Sequence, residues 1–313
     1  MDIAHRIRPI TKERALESYT ELKEFDCTKP ISLTREGTKA LDFFFFNHRL
    51  AAKTKRHISF LNALKNKETY TYLKNKTRKV KKYDMLEKRR TPDEQLQNQY
   101  GVFQLYYGTI NQFRPTVAKS LYCLLAPKIG ILDFSAGWGG RCIAAMSLGL
   151  PYVGIDANTK LKSSYTKMVK TLEPGANVQM VFQPSETVDF SKYSYDLIFT
   201  SPPYFTLEEY EGMPQYSNDT NFIDVFFLPV LQSAWSNLAS GGHLALNMPS
   251  DMYKAVKKCL PPLLKKLKMP LMDRHAGEAV LGQDLRTGKT ERIENIYIWK
   301  KSGKKTMTED CVK

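Results

Sequence analysis

The sequence predicts an α/β fold: a doubly wound, mostly parallel sheet over residues 101–303, preceded by a mainly helical, strongly basic region over residues 1–100 and followed by a flexible tail, 304–313. Three observations lead there. From about residue 101 short apolar runs alternate with helical segments, as successive βα units do. A glycine-rich turn, Gly137-Trp138-Gly139-Gly140, stands where the first of these runs hands over to a helix. Positive charge is concentrated early: of the formal net charge of +15, the segment from Arg49 to Arg90 holds fifteen Lys or Arg against three acids, a net of +12.

Taken in order, the basic region also carries His57, Phe60, Tyr70, Tyr72 and Tyr83, and the apolar run Phe43 to Phe46 requires a core to pack into. Such a charge block suits a polyanion, although a solvated face of amphipathic helices has the same composition. Strands are expected at 130–134, 152–155, 179–182, 197–200, 243–248 and 295–300, the last one antiparallel at the end of the sheet. Helices are expected at 116–126, 140–148, 160–172, 221–238 and 251–267. Phe226, Phe227 and Trp235 fall on one helical face and read as core.

Composition sets further limits. Hydrophobic residues make up 42% and charged residues 25%, and no stretch approaches the roughly 18 apolar residues of a membrane span, so no membrane is expected. The opening MDIAHRIRPITKER lacks the apolar core and cleavage site of a secretion signal. Five scattered cysteines, Cys27, Cys123, Cys142, Cys259 and Cys311, without a CxxC pair, predict reduced thiols in a soluble intracellular protein and no zinc site. His243 and His275 stand apart, so no metal is expected.

In a doubly wound sheet chemistry sits on the loops leaving the carboxyl ends of the strands. The first loop, Asp133-Phe-Ser-Ala-Gly137-Trp-Gly-Gly-Arg141, spaces its glycines neither as a dinucleotide fingerprint nor as a phosphate-binding loop. Asp156, at the tip of the next strand, is placed to accept hydrogen bonds from the ribose hydroxyls of a nucleoside. Further on, an apolar strand stops at Ser201-Pro202-Pro203-Tyr204-Phe205. Prolines end the ladder and stiffen the loop. The Ser201 hydroxyl and Pro202 carbonyl can accept the two hydrogens of an exocyclic base amine, localising a lone pair otherwise delocalised into the ring. Tyr204 or Phe205 can stack on a base taken out of its helix.

The tetrapeptide SPPY, with DFSAGWGGR and GID, resembles the signature of the S-adenosylmethionine (SAM)-dependent amino-methyltransferases that act on DNA, over roughly residues 111–300. That resemblance implies a Rossmann-like methyltransferase sheet and SAM as cofactor. Phe113-Arg-Pro115-Thr116 is similar to the family's upstream cofactor motif. By the resemblance Asp133, Ser135, Ala136, Gly137, Trp138, Asp156, Ala157 and Ser185 or Glu186 contact SAM, while Ser201, Pro202, Pro203 and Tyr204 form the catalytic motif. Ala136, Trp138 and Ser185 depart from the family's usual residues. Serine at the first position of the tetrapeptide leans toward cytosine N4 over adenine N6. Asp133 and Ser201 lie 68 positions apart, leaving no room for a large target-recognition domain, so base reading falls to the N-terminal region, to 205–221 or to 268–294. The implied partner is duplex DNA with a flipped base, as in restriction-modification methylases, and a homodimer is allowed. The alternatives are an RNA base methyltransferase and an inactive nucleic-acid-binding subunit of the same fold.

Overall fold

The computed structural model describes residues 2–31, 34–54, 56–79, 91–204, 212, 214–268 and 294–302. The helices before the sheet are α1 (Ile3–Ile7), α2 (Lys12–Glu24), α3 (Thr38–Ala51), α4 (Phe60–Lys65), α5 (Lys67–Lys79) and α6 (Pro92–Tyr107). Their starts are written locally. Thr11 and Ser59 cap α2 and α4 through their hydroxyls, and Thr91 with Glu94 forms a reciprocal capping box before Pro92.

The sheet comprises β1 (Ile131–Asp133), β2 (Tyr152–Ile155), β3 (Val178–Val181), β4 (Leu197–Thr200), β5 (His243–Pro249), β6 (Lys265–Lys268) and β7 (Glu294–Lys300), in the order β3-β2-β1-β4-β5-β7-β6. β1 to β5 pair in parallel, and β7 runs antiparallel to β5 and β6. This is the expected Rossmann-like architecture, and the strand order reverses beside β1, opening a crevice at the carboxyl ends of β1 and β4.

Alternation along the strands divides two cores. Leu197 and Phe199 of β4 face α7 (Pro115–Leu125), α8 (Gly140–Ser147) and α9 (Lys162–Leu172). Ile198 faces α10 (Leu228–Asn237) and α11 (Ser250–Val256), where Phe226, Phe227 and Trp235 are buried as expected. The residues leading into α10, Phe222–Phe227, form a π-helical turn.

The phenylalanine run shows how the N-terminal helices join this body. Phe44 and Phe45 of α3 pack into the core shared with the sheet, and Phe46 packs into a third cluster with α4, α5 and α6. Phe43 faces solvent at 40% exposure, so the run serves two cores from one helix. Beneath Phe46, Asp42 pairs with Arg8 and, at 2.5 Å, with the buried Arg49. Two lysines fix helix ends. The Lys119 ammonium on α7 donates to the carbonyls of Leu22, Lys23 and Phe25 at the end of α2, and Lys301 donates to those of Trp235, Ser236 and Leu238 at the end of α10.

Three expectations are corrected. The helix expected at 251–267 stops at Val256, because Pro261 and Pro262 cannot continue it, and the chain enters β6 instead. The antiparallel strand β7 lies between β5 and β6 rather than at the sheet's end. The cysteines are not all reduced thiols: Cys27 and Cys123 form a disulfide, Cys259 is also disulfide-bonded, and Cys142 is the free cysteine among the described residues. Sequence spacing concealed the Cys27–Cys123 pair because 96 positions separate residues that the α2–α7 packing brings to 6.1 Å between Cα atoms. Expectations for Phe205, His275, residues 80–90 and the tail 304–313 fall outside the described residues.

Candidate active site

The loop after β1 is held from below by a buried ion pair. Asp133 is fully buried and accepts from Arg141 Nε at 2.6 Å, from the Tyr152 hydroxyl at 2.6 Å and from the Ser135 amide at 3.2 Å. Arg141 also donates to the Ser135 carbonyl and lies 5.1 Å from the centre of the Phe113 ring. Burial, followed by the Asp133 charge, raises the Tyr152 phenol well above its ordinary pKa, so it remains a donor to that carboxylate. Asp133 and Arg141 therefore shape the loop from inside and do not face the crevice. Arg141 commits its guanidinium to the aspartate eight residues earlier, across the glycine turn, rather than to solvent.

The loop's outer side is open. A Cβ at Gly137 would meet nothing nearer than the Ser135 carbonyl oxygen at 3.9 Å, whereas one at Gly140 would sit 2.2 Å from the Phe113 carbonyl oxygen. Glycine at 140 thus lets the upstream segment cross the start of α8, and the space a side chain would take at Gly137 is left uncovered. The Gly137 amide donates to Asp156 Oδ2 at 2.7 Å, and the Asn158 amide donates to Oδ1 at 2.9 Å. Tyr165 holds the Gly137 carbonyl at 2.9 Å. Burial pushes the Asp156 carboxyl up to about 6, against these two amides. Each of its oxygens keeps a lone pair for a further donor.

The other predicted contacts divide between the rim and the interior. Ser135, Gly137, Asp156, Ala157 and Phe113 are half-buried at the crevice, and Glu186 is exposed, accepting from Tyr216 at 3.3 Å. Ala136 and Trp138 are buried. Ser185 is buried with its hydroxyl on the Phe134 carbonyl, and Thr116 is buried with its hydroxyl 3.4 Å from the Thr34 carbonyl. These four lie in the interior, and Ser185 holds the residue that opens the loop. Gly212, after the tetrapeptide, lies against Ala157, where an added Cβ would be 2.4 Å from the carbonyl oxygen.

At the end of β4, Pro202 is buried while Ser201, Pro203 and Tyr204 are half-buried. Ser201 Oγ and the Tyr204 hydroxyl are 3.3 Å apart, and Asn247 Nδ2 of β5 donates to them at 3.2 and 3.0 Å. Phe199, just before the tetrapeptide, meets the Phe113 ring edge-on at 5.4 Å. The upstream motif, the glycine loop, Asp156 and the tetrapeptide therefore lie along one edge of the sheet. Among the described residues no three His, Cys, Asp or Glu side chains gather as metal ligands. None of the described helices is long and apolar enough to cross a membrane.

No family model matches the chain, and no curated protein does. Solved structures with a similar fold include TrmN from Thermus thermophilus, 14% identical over 87% of this chain and 88% of that one, with a TM-score of 0.42. An rRNA methylase from Streptococcus thermophilus is 10% identical over 62% of this chain and all of that one, at 0.39. The tRNA m1G37 methyltransferase of M. jannaschii is 16% identical over 60% of this chain and 49% of that one, at 0.37.

Proposed function

We propose that this protein is a SAM-dependent methyltransferase acting on an exocyclic amino nitrogen of a base in DNA, with cytosine N4 preferred to adenine N6. The observation that carries the reading is the convergence, at the end of β4, of Ser201 Oγ, the Tyr204 hydroxyl and the Asn247 amide. The residues present fit the cofactor: Asp156 offers a half-buried carboxylate to ribose hydroxyls, and a Cβ at Gly137 would meet nothing nearer than 3.9 Å beside it. When bound, SAM would supply an electrophilic methyl, the carbon–sulfur pair leaving on sulfur and one amine proton leaving to solvent as nitrogen takes the methyl.

The chain's own residues do the rest. Ser201 Oγ and the Pro202 carbonyl accept from the amine and hold its lone pair on nitrogen, where it must be at the transition state. Tyr204 stacks on the extruded base. The basic N-terminal region supplies phosphate contacts.

Labelled methyl transfer to duplex DNA, single-stranded DNA and total RNA, side by side, tests the polymer; transfer to RNA alone would replace DNA by RNA in this reading. Ser201→Ala is expected to slow single-turnover transfer more than it weakens SAM or DNA binding. Tyr204→Ala is expected to lose both, because stacking is worth about 1–3 kcal/mol per base, and to be partly rescued by a mismatched target that is easier to extrude. Equal rescue of both variants would reduce the tetrapeptide to a structural turn.

A further inference from the structure

β5 reads His243-Leu-Ala-Leu-Asn247-Met-Pro249, and Asn247, set among the apolar residues that follow His243, is only 1% exposed. A buried carboxamide is costly unless its hydrogen bonds are made, so its partners indicate why it is there. A residue serving only the sheet would bond to backbone. Here Nδ2 donates instead to two side chains of the tetrapeptide, Ser201 Oγ at 3.2 Å and the Tyr204 hydroxyl at 3.0 Å. The register brings these groups together: Thr200 pairs with Leu246, so the next residue of each strand, Ser201 and Asn247, stand side by side.

We propose that Asn247 is a positioning residue for the transfer, setting the direction in which the Ser201 and Tyr204 hydroxyls present their lone pairs; this rests on the methyltransferase reading above. The chemistry follows from which groups can donate. An amide N–H only donates, whereas a hydroxyl both donates and accepts and its hydrogen rotates to suit its neighbours. Asn247 donates into both oxygens, and in the proposed arrangement the Ser201 hydroxyl then donates to the Tyr204 oxygen 3.3 Å off rather than accepting from it. One lone pair of Oγ then remains for the substrate amine. Without Asn247 the hydroxyl is free to turn its hydrogen toward that amine, setting donor against donor. A fixed acceptor needs no reorganisation as the methyl moves, so the effect belongs to the rate rather than to cofactor affinity.

The test compares single-turnover transfer at saturating SAM for Asn247→Ala, Asn247→Asp, Ser201→Ala and the double variant Ser201→Ala/Asn247→Ala, with SAM affinity and thermal melting measured on each. Asn247→Ala is expected to slow transfer by about tenfold or more while SAM affinity stays within about twofold. In the Ser201→Ala background the same change should cost less than about threefold, because the hydroxyl it orients is gone. Asn247→Asp keeps the size but turns the donor into an acceptor when ionised. Its rate should therefore recover as pH falls and the carboxyl regains a proton to donate, giving the pH–rate profile a limb that the unaltered protein lacks.

A full rate in Asn247→Ala with Ser201→Ala inactive would overturn the role of Asn247 and leave the methyltransferase reading standing. Full activity in Ser201→Ala would take the hydroxyl out of the chemistry and overturn the role of Asn247 with it, whereas no transfer by the unaltered protein to any nucleic acid would overturn the methyltransferase reading itself. Additive losses in the double variant, or an Asn247→Asp profile parallel to that of the unaltered protein, would make Asn247 a sheet residue only. If Asn247→Ala fails to fold, the isosteric Asn247→Asp profile decides the matter alone.

Discussion

At the residue scale the most informative group is Asp156. Its carboxyl is pushed up by burial to about 6, well above an ordinary aspartate, and it titrates near neutrality. A ribose hydroxyl donates best to the charged form, so SAM affinity should fall by about tenfold per pH unit below pH 6 and level off above it, as read by calorimetry. The sign for folding is opposite. Because the folded-state value is raised, the ionised carboxylate destabilises the fold above about pH 6, and that penalty is relieved as pH falls from 6 toward the unfolded value near 4. Asp156→Ala should weaken SAM binding by tenfold or more, since charge-assisted hydrogen bonds are worth roughly 1.5–3 kcal/mol each. Unchanged affinity in a folded Asp156→Ala variant would move the nucleoside elsewhere. Asp156 was legible in the sequence from its place at a strand tip. The inward role of Asp133 was not, because the same acidic residue after a strand can face a ligand or an arginine, and only packing selects between them.

At the element scale, α2 is bound to α7 by two ties that no local pattern announces: the Lys119 ammonium on the last carbonyls of α2 and the Cys27–Cys123 disulfide just beyond them. A crosslink over so long a separation restricts the unfolded chain strongly, by about 2–4 kcal/mol. Replacing Cys27 and Cys123 together by Ser should lower the melting temperature, and a reductant should lower it for the native sequence by more than for that variant. Equal response to reductant in both would show that this disulfide contributes nothing to stability. The starts of α2 and α6 carry local signals, Thr11, Thr91 and Pro92, although no helix bounds were expected in that region. The end of α11 was misplaced because apolar periodicity ran on through Leu260 and Leu264 while the two intervening prolines were decisive.

At the scale of the whole molecule, the formal charge of +15 is the property that bears on partners. If the basic segment from Arg49 to Arg90 neutralises phosphates, log affinity for duplex DNA should fall linearly with log salt concentration. Replacing Lys79, Lys81 and Lys82 by Ala should flatten that slope by roughly one unit for each phosphate that no longer has a lysine beside it. Identical slopes, measured by fluorescence anisotropy over a salt series, would make the segment a solvated face. The N-terminal helices are also more than an appendage to this surface. Through Phe44 and Phe45 they share a core with the sheet, and His48 bonds Ser164 of α9 at 2.9 Å.

What the sequence by itself determined was whatever depends on near neighbours in the chain: the apolar runs that become strands, the caps and proline stops, the glycine turn after β1 and the stiff tetrapeptide after β4. These are set by backbone sterics and by periodicity, which a linear reading contains. What only the tertiary structure decided was pairing at long separation: Arg141 and Tyr152 beneath Asp133, Cys27 with Cys123, β7 inserted between β5 and β6, and Asn247 against Ser201 and Tyr204. The physical reason is that a buried polar group must find its partner somewhere, but which partner it finds depends on which strands and helices pack together.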